Sequence, residues 1–141
     1  MKDYISSSIK HKILDIRLER QHKKNALTKK MYMELNKLIS DASDNTEINV
    51  ILISGGQDFT AGNDLEDFIK NPPKDKNSPV FKFMMTLTKC PLPVISAVNG
   101  FAVGIGTTML LHCDLVYASK KSLFMMPFIN LGLVPEFASS Q

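Results

Sequence analysis

INVILISGGQDFTAGNDLEDFIK, residues 48 to 70, sets the architecture. Val50 to Ile53 are continuously apolar, the pattern of a strand covered on both faces rather than one alternating between core and water. The aliphatic run stops at GGQDFTAG, a glycine-containing turn. Asn63, with Glu66 three positions on, then supplies the parts of a capping box for a short helix over Leu65, Phe68 and Ile69. The same order of strand, glycine turn and helix recurs as VISAV at 94 to 98, NGFAVGIG at 99 to 106, and Thr107 to His112. In that last segment Met109, Leu110 and Leu111 leave hardly any polar side, which predicts burial almost all round. Parallel strands feeding helices bring their C-terminal ends and the helix N-termini to one side of a sheet, where ligands bind. The fold class is α/β.

Upstream, ILDIRLE at 13 to 19 sets Ile13 or Leu14, Ile16 and Leu18 against Asp15, Arg17 and Glu19, and reads as a half-buried strand. RQHKKNAL follows as a loop. Thr28 caps a predicted helix from Lys29 to about Ala42, whose apolar face is Met31, Leu35, Leu38 and Ala42 beside Tyr32 and Ile39. NPPKDKNSP at 71 to 79 has three prolines and no periodicity, a surface loop and the segment most open to movement. Val80, Phe83, Met84 and Leu87 mark a second helix that ends before CPLP. Past His112, CDLVYAS and SLFMMP read as short strands, and FINLGLVPEFASSQ as a loop followed by a helix. With Leu131 to Ala138 in structure and nothing after Gln141 to pack on them, a truncated chain is expected.

The 141 residues, 44% of them hydrophobic, suffice for one domain with a modest core. Residues 1 to 37 hold ten Lys and Arg against four Asp and Glu, so the net charge of +3 is gathered at the N-terminal end. Either a plain solvated surface or a patch for an anionic ligand accounts for this. No nucleic-acid motif accompanies the charge. Cys90 and Cys113 are too few and too far apart for a disulfide framework or a CxxC site, and read as small buried hydrophobes in a reducing compartment. No apolar run reaches membrane-spanning length, and MKDYISSSIKHK lacks the core of a signal peptide. His11, His22 and His112 form no short-range cluster, so no metal is expected.

Ala61 to Asn63 and Gly104 to Gly106 are where small residues let backbone approach a ligand closely. If both turns open helices onto one pocket, their unpaired N–H groups point at a shared oxygen, aided by the aligned peptide dipoles. Tight turns demanded by sheet topology alone account for the same residues. Among the carboxylates, Asp58, Asp64, Glu66 and Asp67 surround the first turn, where helix capping is a sufficient role for Asp64 and Glu66, and Asp114 can orient a loop. Glu136 is different, because the apolar run LGLVPEF would desolvate it and make it a stronger base than in water. A surface helix start after Pro135 is the other reading of that residue.

Four stretches taken together, RLERQHKKNALT at 17 to 28, ISGGQDFTAGNDLEDF at 53 to 68, PLPVISAVNGFAVGIGTTMLLHCDLVYAS at 91 to 119 and LFMMPFINLGLVPEFASS at 123 to 140, resemble in order and spacing the N-terminal half of the crotonase, or enoyl-CoA hydratase/isomerase, family. The resemblance implies a crotonase-like superhelix of repeated β-β-α units, of which residues 1 to 141 form the N-terminal core without the C-terminal helical part. It makes the N–H groups of Ala61 and Ile105 the oxyanion donors. Ile105 stands where hydratases often have glycine, a departure an amide donor tolerates if positive φ is not required. It implies a coenzyme A site at Lys23, Lys24, Asn25, Ala26, Ala61, Gly62, Asn63, Asp64 and Leu65.

The family's hydratases place glutamates at positions that are Thr108 and Phe128 here, which disfavours hydration. One branch, like the peroxisomal type of 3,2-trans-enoyl-CoA isomerase, carries a single glutamate in a segment like LGLVPE, which makes Glu136 the base. Met125, Met126 and Phe128 line the acyl region or serve the core. The resemblance implies double-bond isomerisation of 3-enoyl-CoA in fatty acid β-oxidation. Its rivals are an inactive acyl-CoA-binding or interaction module and other CoA-thioester chemistry such as hydration, hydrolysis or decarboxylation. Coenzyme A would be part of the substrate and no separate cofactor or metal would be needed. Expected partners are an enoyl-CoA and further copies in a trimer or hexamer, with neither nucleic acid nor membrane. A bacterial-type cytoplasmic setting is expected, or a peroxisomal or mitochondrial one in a eukaryote.

Overall fold

The computed structural model describes residues 4 to 137 and 139. The chain opens with β1 (Ile5–Lys10) and β2 (Ile13–Leu18), an antiparallel hairpin pairing Ile5 with Leu18 and Lys10 with Ile13. β1 is not apparent in the sequence. Its middle is Ser6 to Ser8, residues of low strand preference, and its turn is His11–Lys12 rather than Asn-Gly. Both turn residues nonetheless take positive φ, 51° and 62°, the conformation a two-residue hairpin needs.

α1 (Lys29–Ser43) starts where expected, because the Thr28 hydroxyl accepts from the Met31 N–H at 3.3 Å. Met31, Tyr32, Leu35, Ile39 and Ala42 form its buried face. β3 (Val50–Ser54) follows, with Ile51 and Ile53 buried but Val50, Leu52 and Ser54 only half-buried, so one face is covered more fully than the other. α2 (Leu65–Lys70) is a short helix with no buried residue, and α3 (Pro79–Thr88) buries the expected Val80, Phe83, Met84 and Leu87. α3 packs on α1, with the Tyr32 and Phe83 rings 5.6 Å apart and tilted by 47°.

β4 (Val94–Val98) leads through Asn99–Gly100 into β5 (Phe101–Val103), a short strand inside what the sequence presents as a plain turn. α4 (Ile105–Thr108) runs on into a 3-10 turn, Met109–His112. Burial there is less complete than its composition suggests: Met109 and Leu110 are buried, but Leu111 is 59% exposed. β6 (Leu115–Ala118) and β7 (Leu123–Met125) complete the strands. Ile129–Leu131 is one 3-10 turn, and no helix follows over residues 132 to 137; Ala138, Ser140 and Gln141 of the segment expected to end in a helix lie outside the described residues.

One sheet has the order β1-β2-β3-β4-β6, parallel from β2 onward, and β5 pairs with β7 in a second, parallel ribbon. Asp114 ties β4 to β6: its carboxylate accepts from the Val94 N–H at 2.7 Å while its own N–H donates to the Val94 carbonyl at 2.8 Å. Parallel pairing of β3 with β4 sets Ser54 beside Ala97, so both strands release their glycine turns at the same sheet edge. Cys90 and Cys113 are free and half-buried rather than fully enclosed. Among the described residues no helix is long and apolar enough to cross a membrane, and no group of His, Cys, Asp and Glu could hold a metal ion.

Candidate active site

The two glycine turns lie against each other. Thr60 bridges Ala102, its N–H donating to the Phe101 carbonyl at 2.9 Å and its carbonyl accepting from the Val103 N–H at 3.0 Å. Two glycines permit this approach. A Cβ on Gly106 would stand 2.5 Å from Thr60 Cγ2, and one on Gly62, whose φ is 85°, would stand 2.6 Å from the Val103 carbonyl oxygen.

Beneath the turns lies the loop that the sequence links to coenzyme A. Asn25 is fully buried at φ 56° and does not face solvent. Its side chain accepts from the Arg20 N–H at 2.7 Å and donates to the Asp58 and Phe59 carbonyls at 2.8 and 3.2 Å. Its carbonyl accepts from the Thr60 hydroxyl at 2.7 Å, and that hydroxyl accepts from the Gly62 N–H at 3.1 Å. Asn25 thus joins the loop to the first turn. Thr60, with its paired hydroxyl, and Arg20 are the site residues that sequence reasoning missed. Arg20 donates to the Ala26 carbonyl at 2.8 Å and pairs with Asp64 at 2.8 Å, both side chains being largely buried. Lys23 and Lys24 are exposed, with the Lys24 ammonium 4.0 Å from the centre of the Phe101 ring.

Ala61 does not supply a free amide. Its N–H donates to the Lys24 carbonyl at 2.8 Å, so that group is consumed in holding the turn to the loop. Two positions on, the Asn63 N–H has no acceptor among the described residues. Its direction is fixed: the carbonyl of the same Gly62–Asn63 peptide accepts from the Leu27 N–H at 2.7 Å, and a trans peptide points its N–H the opposite way, away from Leu27. In the second turn Gly104 takes positive φ, 56°, and its carbonyl accepts from the Thr107 and Thr108 N–H groups at 2.9 and 3.0 Å. Ile105, at ordinary negative φ and the first residue of α4, has an N–H with no acceptor among the described residues, and its side chain is buried.

The helix after the first turn is capped by Asp64, whose carboxylate accepts from the Asp67 N–H at 2.9 Å, and not by Asn63. Asn63 instead accepts a hydrogen bond from the Tyr32 hydroxyl through Oδ1. Leu65, half-exposed, only opens α2.

The acidic residues divide cleanly. Asp58 accepts from the Phe101 N–H at 3.0 Å, Glu66 pairs with Lys70 on the surface at 2.7 Å, and Asp67 accepts from the Lys29 N–H at 2.6 Å. Asp64 is pushed up by burial, but its bond from the Asp67 N–H and its partner Arg20 outweigh this and lower its pKa. Of these carboxylates, Glu136 alone keeps a buried oxygen, Oε1, with no partner among the described residues, and burial raises its pKa. Phe137 holds that segment, its ring stacked 3.9 Å from His112 and its carbonyl 2.9 Å from His112 Nε2. Burial first, then the charges of Glu136 and Asp67, hold the Tyr32 phenol well above its ordinary pKa, which brings Glu136 electrostatically next to the residue that grips Asn63. Tyr32 and Asn63 share the wall of a cavity of about 520 Å³ with Leu27, Phe68, Pro79 and Val80.

The enoyl-CoA hydratase/isomerase family model matches residues 8 to 141. The chain belongs to that family. It is 39% identical over 135 residues to enoyl-CoA delta isomerase 2 of Homo sapiens, covering 91% of this chain and 34% of the relative. It is 33% identical over 144 residues to 1,2-epoxyphenylacetyl-CoA isomerase of Escherichia coli K12, covering 96% of this chain and 55% of the relative. Among solved structures, Pseudomonas aeruginosa OdaA superposes with a TM-score of 0.95 at 50% identity, over 99% of this chain and 57% of its own. The crotonase-like α/β fold is thus established, and the chain spans between about a third and somewhat over half the length of these relatives. Thr108 and Phe128, which the resemblance sets where hydratases carry glutamates, are both buried, and the Thr108 hydroxyl has no partner among the described residues.

Proposed function

We propose that this chain carries the enolate-forming site of an enoyl-CoA isomerase, of the branch that works with one glutamate. Glu136 removes a proton from C2 of a 3-enoyl-CoA, and the electron pair spreads over the thioester and the double bond. The Asn63 and Ile105 N–H groups receive the charge that develops on the thioester oxygen. The proton then returns from Glu136 to C4, and the double bond moves from C3–C4 to C2–C3. Atoms and electrons balance with the single base and no added reductant or oxidant. Each preorganised amide of this kind is worth about 3 kcal/mol in other enzymes.

What supports the reading is a set of three groups without partners among the described residues: two amides on abutting turns, and an oxygen of the half-buried Glu136, whose charge bears on Tyr32, the residue bonded to Asn63. Neither Thr108 nor Phe128 supplies the second acid-base group that adding water to a double bond requires. The likeness to enoyl-CoA delta isomerase 2 of Homo sapiens supports the same choice. Lys23 and Lys24, exposed beside the first turn, suit the coenzyme A phosphates, while Asn25 and Ala26 shape the loop beneath them. The cavity bounded by Leu27, Phe68, Pro79 and Val80 suits the acyl chain. Exposed Leu115, Val116, Tyr117, Leu123 and Phe124 support assembly of the whole protein into a trimer or hexamer.

Product analysis with 3-enoyl-, 2-enoyl- and malonyl-CoA esters tests the assignment. Conversion of the 3-enoyl ester to the 2-trans-enoyl ester is expected, with the other two unchanged. Hydration, thioester hydrolysis or decarboxylation would move the protein to a different reaction of the family, and binding without turnover would make it a binding module.

A further inference from the structure

Tyr32 is buried on α1, with its ring packed on Phe83 and its hydroxyl donating to Asn63 Oδ1. We propose that Tyr32 is a positioning residue for the enolate, acting by occupying Asn63 Oδ1 so that Asn63 cannot cap α2 and its N–H stays outside the helix, facing the substrate. The inference rests on the enolate reading above.

Asn is a strong helix N-cap, and when free its side chain bonds to nearby main-chain N–H groups. The spacing of Asn63 and Glu66 favours that cap, yet the helix starts one residue later, on Asp64. The structure supplies the reason: the acceptor that would close on the α2 amides is already bonded to Tyr32, while Asp64 is steadied in the capping role by Arg20. Gly62 precedes Asn63 at φ 85° and offers little resistance to a swing of the following peptide. Among the described residues only the Leu27 N–H holds the carbonyl of that peptide, which leaves it free to rock about one contact. The Tyr32 bond adds an anchor on the other side. Because the phenol keeps its proton, it is always available as the donor.

The test is a double-mutant cycle, Tyr32→Phe and Asn63→Ala singly and together, in the natural protein. The readouts are 3-enoyl-CoA isomerisation and the near-ultraviolet band of the enolate that acetoacetyl-CoA forms when bound. Phenylalanine keeps the ring on Phe83, and urea unfolding checks that the fold is kept. Tyr32→Phe is expected to lower kcat and the fraction of bound acetoacetyl-CoA enolised by about tenfold, the worth of a single hydrogen bond, with the KM for the ester unchanged. In the Asn63→Ala background, where no capping side chain exists to restrain, Tyr32→Phe should cost nothing further. An equal loss in both backgrounds would show that Tyr32 acts elsewhere, and no loss in either that it serves the core alone; both outcomes overturn the inference and leave the enolate reading standing. A wild-type protein that binds acetoacetyl-CoA without enolising it would remove the oxyanion site, and this inference with it.

Discussion

Ala61 and Asn63 stand two residues apart with opposite hydrogen-bonding fates: one amide is bonded to Lys24, the other has no acceptor among the described residues. In the proposed site, main-chain groups without a partner among the described residues receive the charge, and Glu136 is their side-chain counterpart. Replacing Glu136 by Gln keeps its size and removes the base, so turnover of 3-enoyl-CoA should fall by about 10²- to 10⁴-fold while acyl-CoA affinity stays within twofold. Steady-state kinetics beside calorimetric binding would check this. The same residue fixes the pH dependence. Only the ionised carboxylate accepts the C2 proton, and burial raises its pKa above the ordinary 4.5, so kcat/KM should fall as pH drops through a midpoint above that value. A pH–rate profile whose acid limb sits at or below 4.5 would contradict a desolvated base.

At the scale of elements, the two turns work as one unit because glycine lets them touch. Gly106→Ala would drive a Cβ to within 2.5 Å of Thr60 Cγ2 and 3.0 Å of the Thr60 carbonyl oxygen, forcing α4 away from the first turn. The expected result is a loss of kcat of at least about tenfold, since a small displacement of a preorganised donor is costly, with the helical circular dichroism intact. Full activity in that variant would mean that the turns need not abut. Periodicity made α1 and α3 legible because each has one apolar stripe, and short apolar runs ahead of glycine turns, continuous in β3 and broken only by Ser96 in β4, made those two strands legible. The cap of α2 was not, because two adjacent residues could serve and Tyr32, thirty-one positions back, decides between them. β1 was hidden by its serines, and the exposure of Leu111 in the 3-10 turn after α4 by an apolar composition that does not reveal it.

For the molecule as a whole, the parallel order β2-β3-β4-β6 explains why residues far apart in sequence meet at one edge. β3 and β4 deliver the turns, α1 delivers Tyr32, and the stacking of Phe137 on His112 returns the chain to the side of α4, bringing Glu136 with it. Both turns and Glu136 were legible as candidates from small residues after apolar strands and from a lone carboxylate in an apolar run. Which amide was free was not legible, because it depends on the Ala61 bond to Lys24, a contact across thirty-seven residues. A crystal structure of the natural protein with a bound 2-enoyl-CoA measures the outcome directly. The thioester oxygen should lie within about 3.1 Å of the Asn63 and Ile105 nitrogens together, with Glu136 beside C2 and C4. An oxygen seated on the Ala61 nitrogen, or one that reaches only a single amide, would contradict the account.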